Sequence, residues 1–254
     1  MLEVRMLCKR YSGIPAVKDV TFLARAGEIT GYLGPNGSGK STTMKMLTGL
    51  ISPTSGEVLF AGRPIAEDLV GYHRRLGYVP EEPYLYTHLT GLEYLAMVSQ
   101  LHGLAPKQAR ERIDALLDAF GLSGEGEALI SSYSKGMRQK VLIAAALLHN
   151  PDLVILDEPF SGLDIGSALL LRNLIEELGR RGKVVLFSSH ELDTVERICS
   201  HVVILHRGRV VADDSAERLR AMMAAPSLES VFAQLAVEQD APAISRSLVD
   251  LMYA

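Results

Sequence analysis

The stretch Gly34-Pro-Asn-Gly-Ser-Gly-Lys-Ser-Thr42 constrains this chain more than any other feature, because it satisfies the P-loop pattern G-x-x-x-x-G-K-[ST]. Its glycines let consecutive backbone amides turn toward a phosphate. The helix expected from Lys40 to about Leu50 directs its unpaired N–H groups at the same anion. The segment Ile29–Leu33 supplies the strand that precedes such a loop. We therefore expect a phosphate site formed by Gly34, Pro35, Asn36, Gly37, Ser38, Gly39, Lys40, Ser41 and Thr42.

A P-loop of this kind needs a carboxylate that holds the metal ion at the end of a neighbouring strand. The apolar run Leu153–Leu156 leads directly into Asp157 and Glu158, which is that arrangement. We expect Lys40 to reach the β- and γ-phosphates, and Ser41 and Asp157 to bind Mg²⁺, the latter directly or through water. Glu158 then lies where it can polarise the attacking water.

His190 closes another predicted strand, Val184–Ser189, in the way that Asp157 follows its own strand. In parallel α/β sheets, ligands collect at the carboxyl ends of the strands, so the γ-phosphate, Glu158 and His190 are expected to converge. The catalytic residues predicted from the sequence are therefore Glu158, His190 and Lys40.

Short strand-like runs alternate with helical patterns along the chain, which favours an α/β fold with parallel strands. At 254 residues the chain is long enough for one large domain or two small ones. Thr90 and Glu93 have the spacing of a capping box, and the next helix is predicted to end at Gly121. Residues 84–135 thus read as a helical subdomain inserted into the sheet protein. Strands are expected at Leu2–Leu7, Val20–Ala24, Glu28–Leu33, Glu57–Phe60, Leu153–Leu156, Val184–Ser188, Val202–Leu205 and Val210–Ala212, the last two as a hairpin.

The tail of the chain carries two short apolar stripes, so we divide the chain into a main domain at 1–222 and a C-terminal helical extension at 223–254. The stripes are expected to pack on the main domain, with docking to a partner as the alternative. Their residues are Leu228, Val231, Phe232 and Leu235 in the first, and Ile244, Leu248, Leu251 and Met252 in the second.

Charge and cysteine content exclude several classes of protein. With 26 Lys and Arg against 30 Asp and Glu, the net charge of -4 argues against a protein that coats DNA or RNA. Cys8 and Cys199 are too few for a disulfide framework or a structural zinc site. Glu3 and Arg5 occupy the place of a signal peptide's apolar region, so we expect a cytoplasmic protein. The apolar run Val141–Leu148 is too short to span a bilayer, so any membrane role would work through another subunit.

Together with these motifs, Tyr133-Ser-Lys-Gly-Met-Arg-Gln-Lys140 resembles the signature of ABC transporter ATP-binding subunits, usually written Leu-Ser-Gly-Gly-Gln. The resemblance covers about residues 2–215. It is closest to the branch that serves separately encoded permeases for the export of drugs, sodium ions or polymers. It implies an ABC-type P-loop NTPase with a mainly parallel sheet, N-terminal antiparallel strands and the inserted helical subdomain. The signature residues expected to face ATP bound on the opposite subunit are Ser134, Lys135, Gly136 and Met137, where Lys135 replaces a glycine and Met137 a glutamine.

Other positions of the family can be placed one at a time. Tyr11 resembles the aromatic residue that stacks on adenine, and Glu81 occupies the Q-loop position, where the family usually has Gln. A carboxylate at Glu81 can still meet Mg²⁺ or the attacking water. Ser161, Gly162, Leu163 and Asp164 match the D-loop, which contacts the partner subunit in this family.

The resemblance implies an ATP-hydrolysing subunit that uses ATP and Mg²⁺. It implies as partners an integral membrane permease and a second ATPase subunit, either an identical or a related chain, and no nucleic acid. ATP-driven dimerisation would power export from the cytoplasmic face of the membrane. An alternative is an ABC-type ATPase without a transport role that acts on ribosomes or DNA. Another is a regulatory nucleotide-binding module that no longer hydrolyses ATP. The single P-loop, the lack of a long heptad insert and the retained Glu158 argue against these alternatives.

Overall fold

The computed structural model describes residues 1–82, 84–189 and 192–236, which form two β-sheets and the helices that cover them. The strands are β1 (Leu2–Tyr11), β2 (Ile14–Ala24), β3 (Ile29–Leu33), β4 (Ser55–Phe60), β5 (Arg63–Pro64), β6 (Leu76–Val79), β7 (Leu153–Asp157), β8 (Val184–Ser188), β9 (His201–His206) and β10 (Arg209–Asp214). The helices are α1 (Lys40–Leu47), α2 (Leu69–His73), α3 (Gly91–Leu101), α4 (Pro106–Ala119), α5 (Lys135–Leu147), α6 (Ile165–Arg180), α7 (Leu192–Ile198), α8 (Ala216–Met222) and α9 (Leu228–Ala236).

The larger sheet has the strand order β10-β9-β3-β8-β7-β6, and all neighbouring pairs are parallel except the β9–β10 hairpin. Every residue of β3, β7 and β8 is buried. Both faces of a parallel sheet are usually covered, which favours apolar strands: β7 and β8 are apolar up to their last residue, whereas β3 also contains Thr30 and Gly31. The carboxyl ends of β3, β7 and β8 therefore meet at one edge of the sheet, as expected for an α/β fold of this class.

The smaller sheet is antiparallel, with the order β2-β1-β4-β5, and confirms the expected N-terminal antiparallel strands. Strands β1 and β2 are longer than predicted and meet at a turn of Ser12 and Gly13. The added part of β1 includes Lys9 and Arg10, and the strand pairing shifts register there. The pattern of alternating apolar residues did not predict this segment, because the segment is hydrogen-bonded to its neighbouring strands through its backbone but buries no apolar side chain.

The helices follow the prediction closely at their beginnings. Thr90 and Glu93 form the predicted capping box, with both reciprocal hydrogen bonds present. Helix α1 ends at Leu47 rather than at Leu50, because Gly49 takes a positive φ of 72° and stops the helix. Helices α3 and α4 pack against each other and on α5. The domain boundaries proposed above, including 84–135 for the helical subdomain, stay predictions.

The first stripe of the tail packs on the rest of the molecule. Leu228 and Val231 on α9 are fully buried, and α9 contacts α7, α8 and β9. The second stripe, beginning at Ile244, lies outside the described residues. Within the described ranges, no helix combines the length and the apolar character that are needed to cross a bilayer.

Candidate active site

The loop between β3 and α1 has a shape that depends on glycine at two positions. Gly39 has φ +105°, and a Cβ there would lie 2.7 Å from the carbonyl oxygen of Ala16. At Gly34, a Cβ would lie 2.4 Å from the carbonyl oxygen of Leu205. The loop is also held from outside, because the N–H of Gly208 in the β9–β10 turn donates to the Ser38 carbonyl at 2.9 Å. The P-loop backbone is therefore enclosed by β2 and by the β9–β10 hairpin.

Lys40, the first residue of α1, curls back over this loop. Its Nζ donates to the carbonyl oxygen of Gly34 at 2.6 Å and to that of Pro35 at 3.3 Å. Burial lowers the pKa of Lys40, while the carboxylates of Glu158, Asp157 and Glu81 act in the opposite direction. The ammonium group is therefore held inside the loop with acidic groups facing it.

Asp157 and Glu158 lie at the end of β7, where both are held by one residue of the adjacent strand. Ser188 Oγ donates to Asp157 Oδ1 and accepts the backbone N–H of Glu158 at 3.0 Å. Glu158 has φ +48°, an uncommon conformation for a residue other than glycine. Burial raises the pKa of Asp157 above its ordinary value, and the charges of Glu81 and Glu158 add to that rise, whereas Ser188 and Lys40 oppose it.

Ser188 was not predicted as a site residue. The feature that would have identified it is the register of the sheet, in which Ser188 on β8 is the direct partner of Asp157 on β7. A prediction of that pairing would have placed a hydroxyl beside the two carboxylates.

These groups surround a cavity of about 220 Å³. The residues that line it are Ala16, Asn36, Gly37, Gly39, Lys40, Ser41, Thr42, Glu81, Asp157 and Glu158. The structure thus brings together the P-loop, Glu81 and the carboxylates after β7 around one cavity. Tyr11, near the end of β1, is about half exposed and does not line this cavity. His190 lies outside the described residues.

The oxygen donors in the cavity fit a magnesium ion. Ser41 offers a hydroxyl, and Glu81 and Asp157 offer carboxylates, which are the ligand types that Mg²⁺ prefers. Across the described residues, no three His, Cys, Asp or Glu side chains form a cluster that could hold a metal ion without other ligands. Mg²⁺ usually binds to proteins through one or two carboxylates and completes its shell with substrate phosphates and water.

The predicted signature residues form a second cluster, and none of them lines the cavity. Ser134 caps α5 by accepting the N–H of Met137 at 3.2 Å. A Cβ at Gly136 would lie 2.4 Å from the carbonyl oxygen of Gly162, so α5 and the D-loop approach closely. Leu163 is partly buried against the core, and Asp164 caps α6 by accepting the N–H of Ser167.

Three side chains of α5 bind the loop 159–164. Lys135 Nζ donates to Ser161 Oγ at 2.9 Å, and Lys140 Nζ lies 2.9 Å from Asp164 Oδ2. The buried Gln139 donates from Nε2 to the Pro159 carbonyl oxygen at 3.1 Å. The sequence did not predict these contacts, because nothing in it shows which side of α5 faces the D-loop.

The comparisons with known proteins agree with this geometry. The family model described as ABC transporter matches residues 17–161. The ABC-type transporter ATP-binding protein EcsA of Bacillus subtilis (strain 168) is 37% identical over 240 residues, which cover 94% of this chain and 97% of EcsA. The bacitracin transport ATP-binding protein BcrA of Bacillus licheniformis is 38% identical over 221 residues, 87% of this chain and 71% of BcrA.

A solved structure is similar over most of the chain. It is the dimeric ATP-binding cassette MJ0796 in a post-hydrolysis state bound to ADP and Pi. The two agree with a TM-score of 0.76 at 27% identity, covering 85% of this chain and 98% of the other.

Proposed function

The chain belongs to the ABC transporter family as an ATP-binding subunit that hydrolyses ATP, and from this premise we propose that it powers export through a separate membrane permease. The single observation that carries the ATPase role behind this proposal is the cavity in which Lys40, Asp157 and Glu158 meet beside the P-loop. A lysine and a pair of carboxylates around one anion-binding loop are suited to phosphoryl transfer to water.

Each group in this cavity has a distinct proposed role. The P-loop amides and Lys40 bind the β- and γ-phosphates. Ser41, Asp157 and Glu81 would hold Mg²⁺, which when bound neutralises charge that develops on the phosphate oxygens. Glu158 orients the attacking water and accepts its proton. His190 is proposed to contact the γ-phosphate, and Tyr11 to stack on the adenine.

We propose that the site is completed by a second ATPase subunit. The N-terminal end of α5, capped by Ser134, is an anion-binding end that does not line the chain's own cavity. In a dimer it would face the γ-phosphate bound by the partner, with Lys135, Gly136 and Met137 around it. The dimeric state of the similar cassette MJ0796 supports this arrangement. The partner is an identical chain or a related one.

The export direction, the membrane permease and the location of the protein are supported by observations outside the ATP cavity. The signature variant around Ser134 resembles the export branch of the family, and the relative BcrA is named for bacitracin transport. Glu81 follows β6 and precedes α3 and α4, so it is suited to carry closure of the site to a membrane subunit. The chain would then sit at the cytoplasmic face of the membrane, bound to its permease, without contact to nucleic acid.

The substitution Glu158→Gln tests the catalytic role and the dimer together. It keeps the side-chain volume but removes the base, so we expect ATP binding to persist while turnover falls on the order of 10²-fold or more. Gel filtration with ATP and Mg²⁺ should then show a trapped dimer. Glu82→Gln is the matched control, because Glu82 is exposed and does not line the cavity. Wild-type turnover of Glu158→Gln would contradict the role of Glu158. A monomer with bound ATP would exclude pairing of two identical chains and leave a related chain as the partner.

A second experiment separates transport from the alternative role on ribosomes or DNA. The tagged chain, expressed from its own locus and solubilised in mild detergent, should co-purify with an integral membrane protein in stoichiometric amount. Co-purification with ribosomes or DNA instead would overturn the transport role and leave the ATPase activity unaffected.

A further inference from the structure

A short chain of contacts joins the signature end of α5 to the backbone of Glu158 within one molecule. Lys135 is the first residue of α5 and follows the cap Ser134 directly. Its ammonium donates to Ser161 Oγ at 2.9 Å. The backbone N–H of Ser161 donates in turn to the carbonyl oxygen of Glu158 at 3.2 Å. Two hydrogen bonds thus connect the residue beside Ser134 with the residue assigned as catalytic base.

The packing around this connection favours one pose of the Lys135 side chain. A Cβ at Gly162 would lie 3.3 Å from Cγ and from Cδ of Lys135, so the lysine stem runs directly over the loop backbone. Gly162 has φ +77°, which turns the loop back beneath that stem. A residue without a long side chain at position 135 could not reach Ser161.

The rest of the loop is held at both ends. Gln139 binds the Pro159 carbonyl oxygen at one end, and Lys140 pairs with Asp164 at the other. Asp164 also caps α6. Between these fixed ends, Ser161 is the residue whose side chain is bound by the signature segment and whose backbone is bound to Glu158. A displacement of Lys135 would therefore act on Glu158 through Ser161.

We propose that Lys135 is a positioning residue that makes the orientation of Glu158 depend on what is bound at Ser134 of the same chain. This rests on the proposed function, in which the partner's ATP lies against Ser134. Docking of that ATP fixes the first turn of α5, Lys135 holds Ser161, and Ser161 holds the backbone of Glu158. Each of the two ATP molecules in the dimer would then prepare hydrolysis of the other.

The experiment measures turnover of the full chain against ATP concentration, and the proposal predicts that ATP hydrolysis is cooperative. We expect a Hill coefficient above 1 in the wild type. Lys135→Met keeps the stem and removes the ammonium, and Ser161→Ala removes the acceptor. Each should lower kcat about 3- to 10-fold, the range expected for one hydrogen bond, and bring the Hill coefficient toward 1. ATP affinity of the monomer should stay unchanged, since neither residue lines the cavity.

A double-mutant cycle distinguishes this role from a merely structural one. If Lys135 and Ser161 act through the hydrogen bond between them, combining the two substitutions should cause no further loss of turnover beyond that of the slower single variant. Lys135→Arg, which retains a donor, should restore part of the lost turnover. Lys107→Met, an exposed lysine of α4, is the matched control and should hydrolyse ATP as the wild type does. Additive losses in the double variant, or an unchanged Hill coefficient in both single variants, would overturn the proposal.

The dimer trapped by Glu158→Gln separates this proposal from the proposed function. If that variant forms no dimer with ATP, the site shared by two identical chains fails. If it forms the dimer while Lys135→Met retains wild-type turnover and cooperativity, only the role of Lys135 fails.

Discussion

Ser188 Oγ donates a hydrogen bond to Asp157 Oδ1, and the same oxygen accepts the backbone N–H of Glu158 at 3.0 Å. One fully buried hydroxyl at the end of β8 thus fixes the carboxylate of Asp157 and the backbone of Glu158 at the end of β7. Because Glu158 also has a positive φ, its backbone conformation depends on such a partner.

The first prediction concerns this hydroxyl. Ser188→Ala removes the hydroxyl that binds Asp157 Oδ1 and the Glu158 N–H, at a cost of about 1–3 kcal/mol. We expect kcat to fall about 10-fold. The free energy of unfolding should fall by the same amount of about 1–3 kcal/mol, and ATP affinity should change less. Steady-state turnover and urea unfolding measure the two effects. Ser123→Ala, which removes an exposed hydrogen bond to Asp118, is the control and should change neither. Equal behaviour of the two variants would contradict the role of Ser188.

The second prediction concerns the charge in the P-loop. Lys40→Met removes the ammonium that faces Glu158, Asp157 and Glu81, so bound triphosphate loses its main cationic side chain in the cavity. We expect ATP affinity to fall at least about 10-fold, which corresponds to roughly 1.4 kcal/mol. Equilibrium titration with ATP gives the value. Lys45→Met removes an exposed lysine from the same helix and should bind ATP as the wild type does.

The third prediction concerns the close approach at Gly39. Gly39→Ala adds a Cβ 2.7 Å from the Ala16 carbonyl oxygen, and it also forces alanine into the left-handed region. Gly62→Ala shares the second effect alone, because Gly62 has φ +80° and open space around it. We expect Gly62→Ala to lower the free energy of unfolding by about 1 kcal/mol, and Gly39→Ala by about 2 kcal/mol or more. Urea denaturation of both variants tests this, and equal losses would show that the contact with Ala16 is unimportant.

The fourth prediction concerns pH. The hydrogen bond from His201 Nε2 to Asp213 raises the pKa of His201 above its ordinary value. The folded protein therefore binds this proton more tightly than the unfolded chain does. The added stability is fully present below the unfolded-state pKa of about 6.5 and is lost as pH rises through the folded-state value.

Asp213→Asn should accordingly lower the free energy of unfolding by about 0.5–1 kcal/mol at pH 5.5 and by less at pH 9, a modest size because the pair is partly exposed. Asp114→Asn breaks an exposed pair with Arg110 that contains no histidine, so its effect should be the same at both pH values. A loss for Asp213→Asn that is constant with pH would exclude the His201 proton as the cause.

The sequence predicted those parts of the site that are encoded locally. The P-loop glycines, Lys40 and Ser41 lie in one continuous motif, and Asp157 and Glu158 follow a strand that is evident from its apolar run. The rule that ligands collect at the carboxyl ends of parallel strands then brought these separate segments together. Glu81 entered through the family resemblance and lines the same cavity.

The parts that could not be predicted depend on contacts between distant segments. Ser188 is recognisable only once β7 and β8 are paired in register. The contacts of Lys135, Gln139 and Lys140 with the loop 159–164 require the face that α5 turns to its neighbour. A periodicity analysis shows which side of a helix is apolar, but it does not show which polar side chain meets which loop.

The β9–β10 turn has a consequence for when the nucleotide site can form during synthesis on the ribosome. Gly208 donates its N–H to the Ser38 carbonyl and accepts the N–H of Lys18 at 2.7 Å, so it ties the P-loop to β2 from a position far downstream of both. A nascent polypeptide that has not yet emerged past residue 208 carries the complete P-loop motif but not the contact that holds its backbone. Nucleotide binding should therefore begin only after residue 208 has left the exit tunnel, and not when the motif itself emerges.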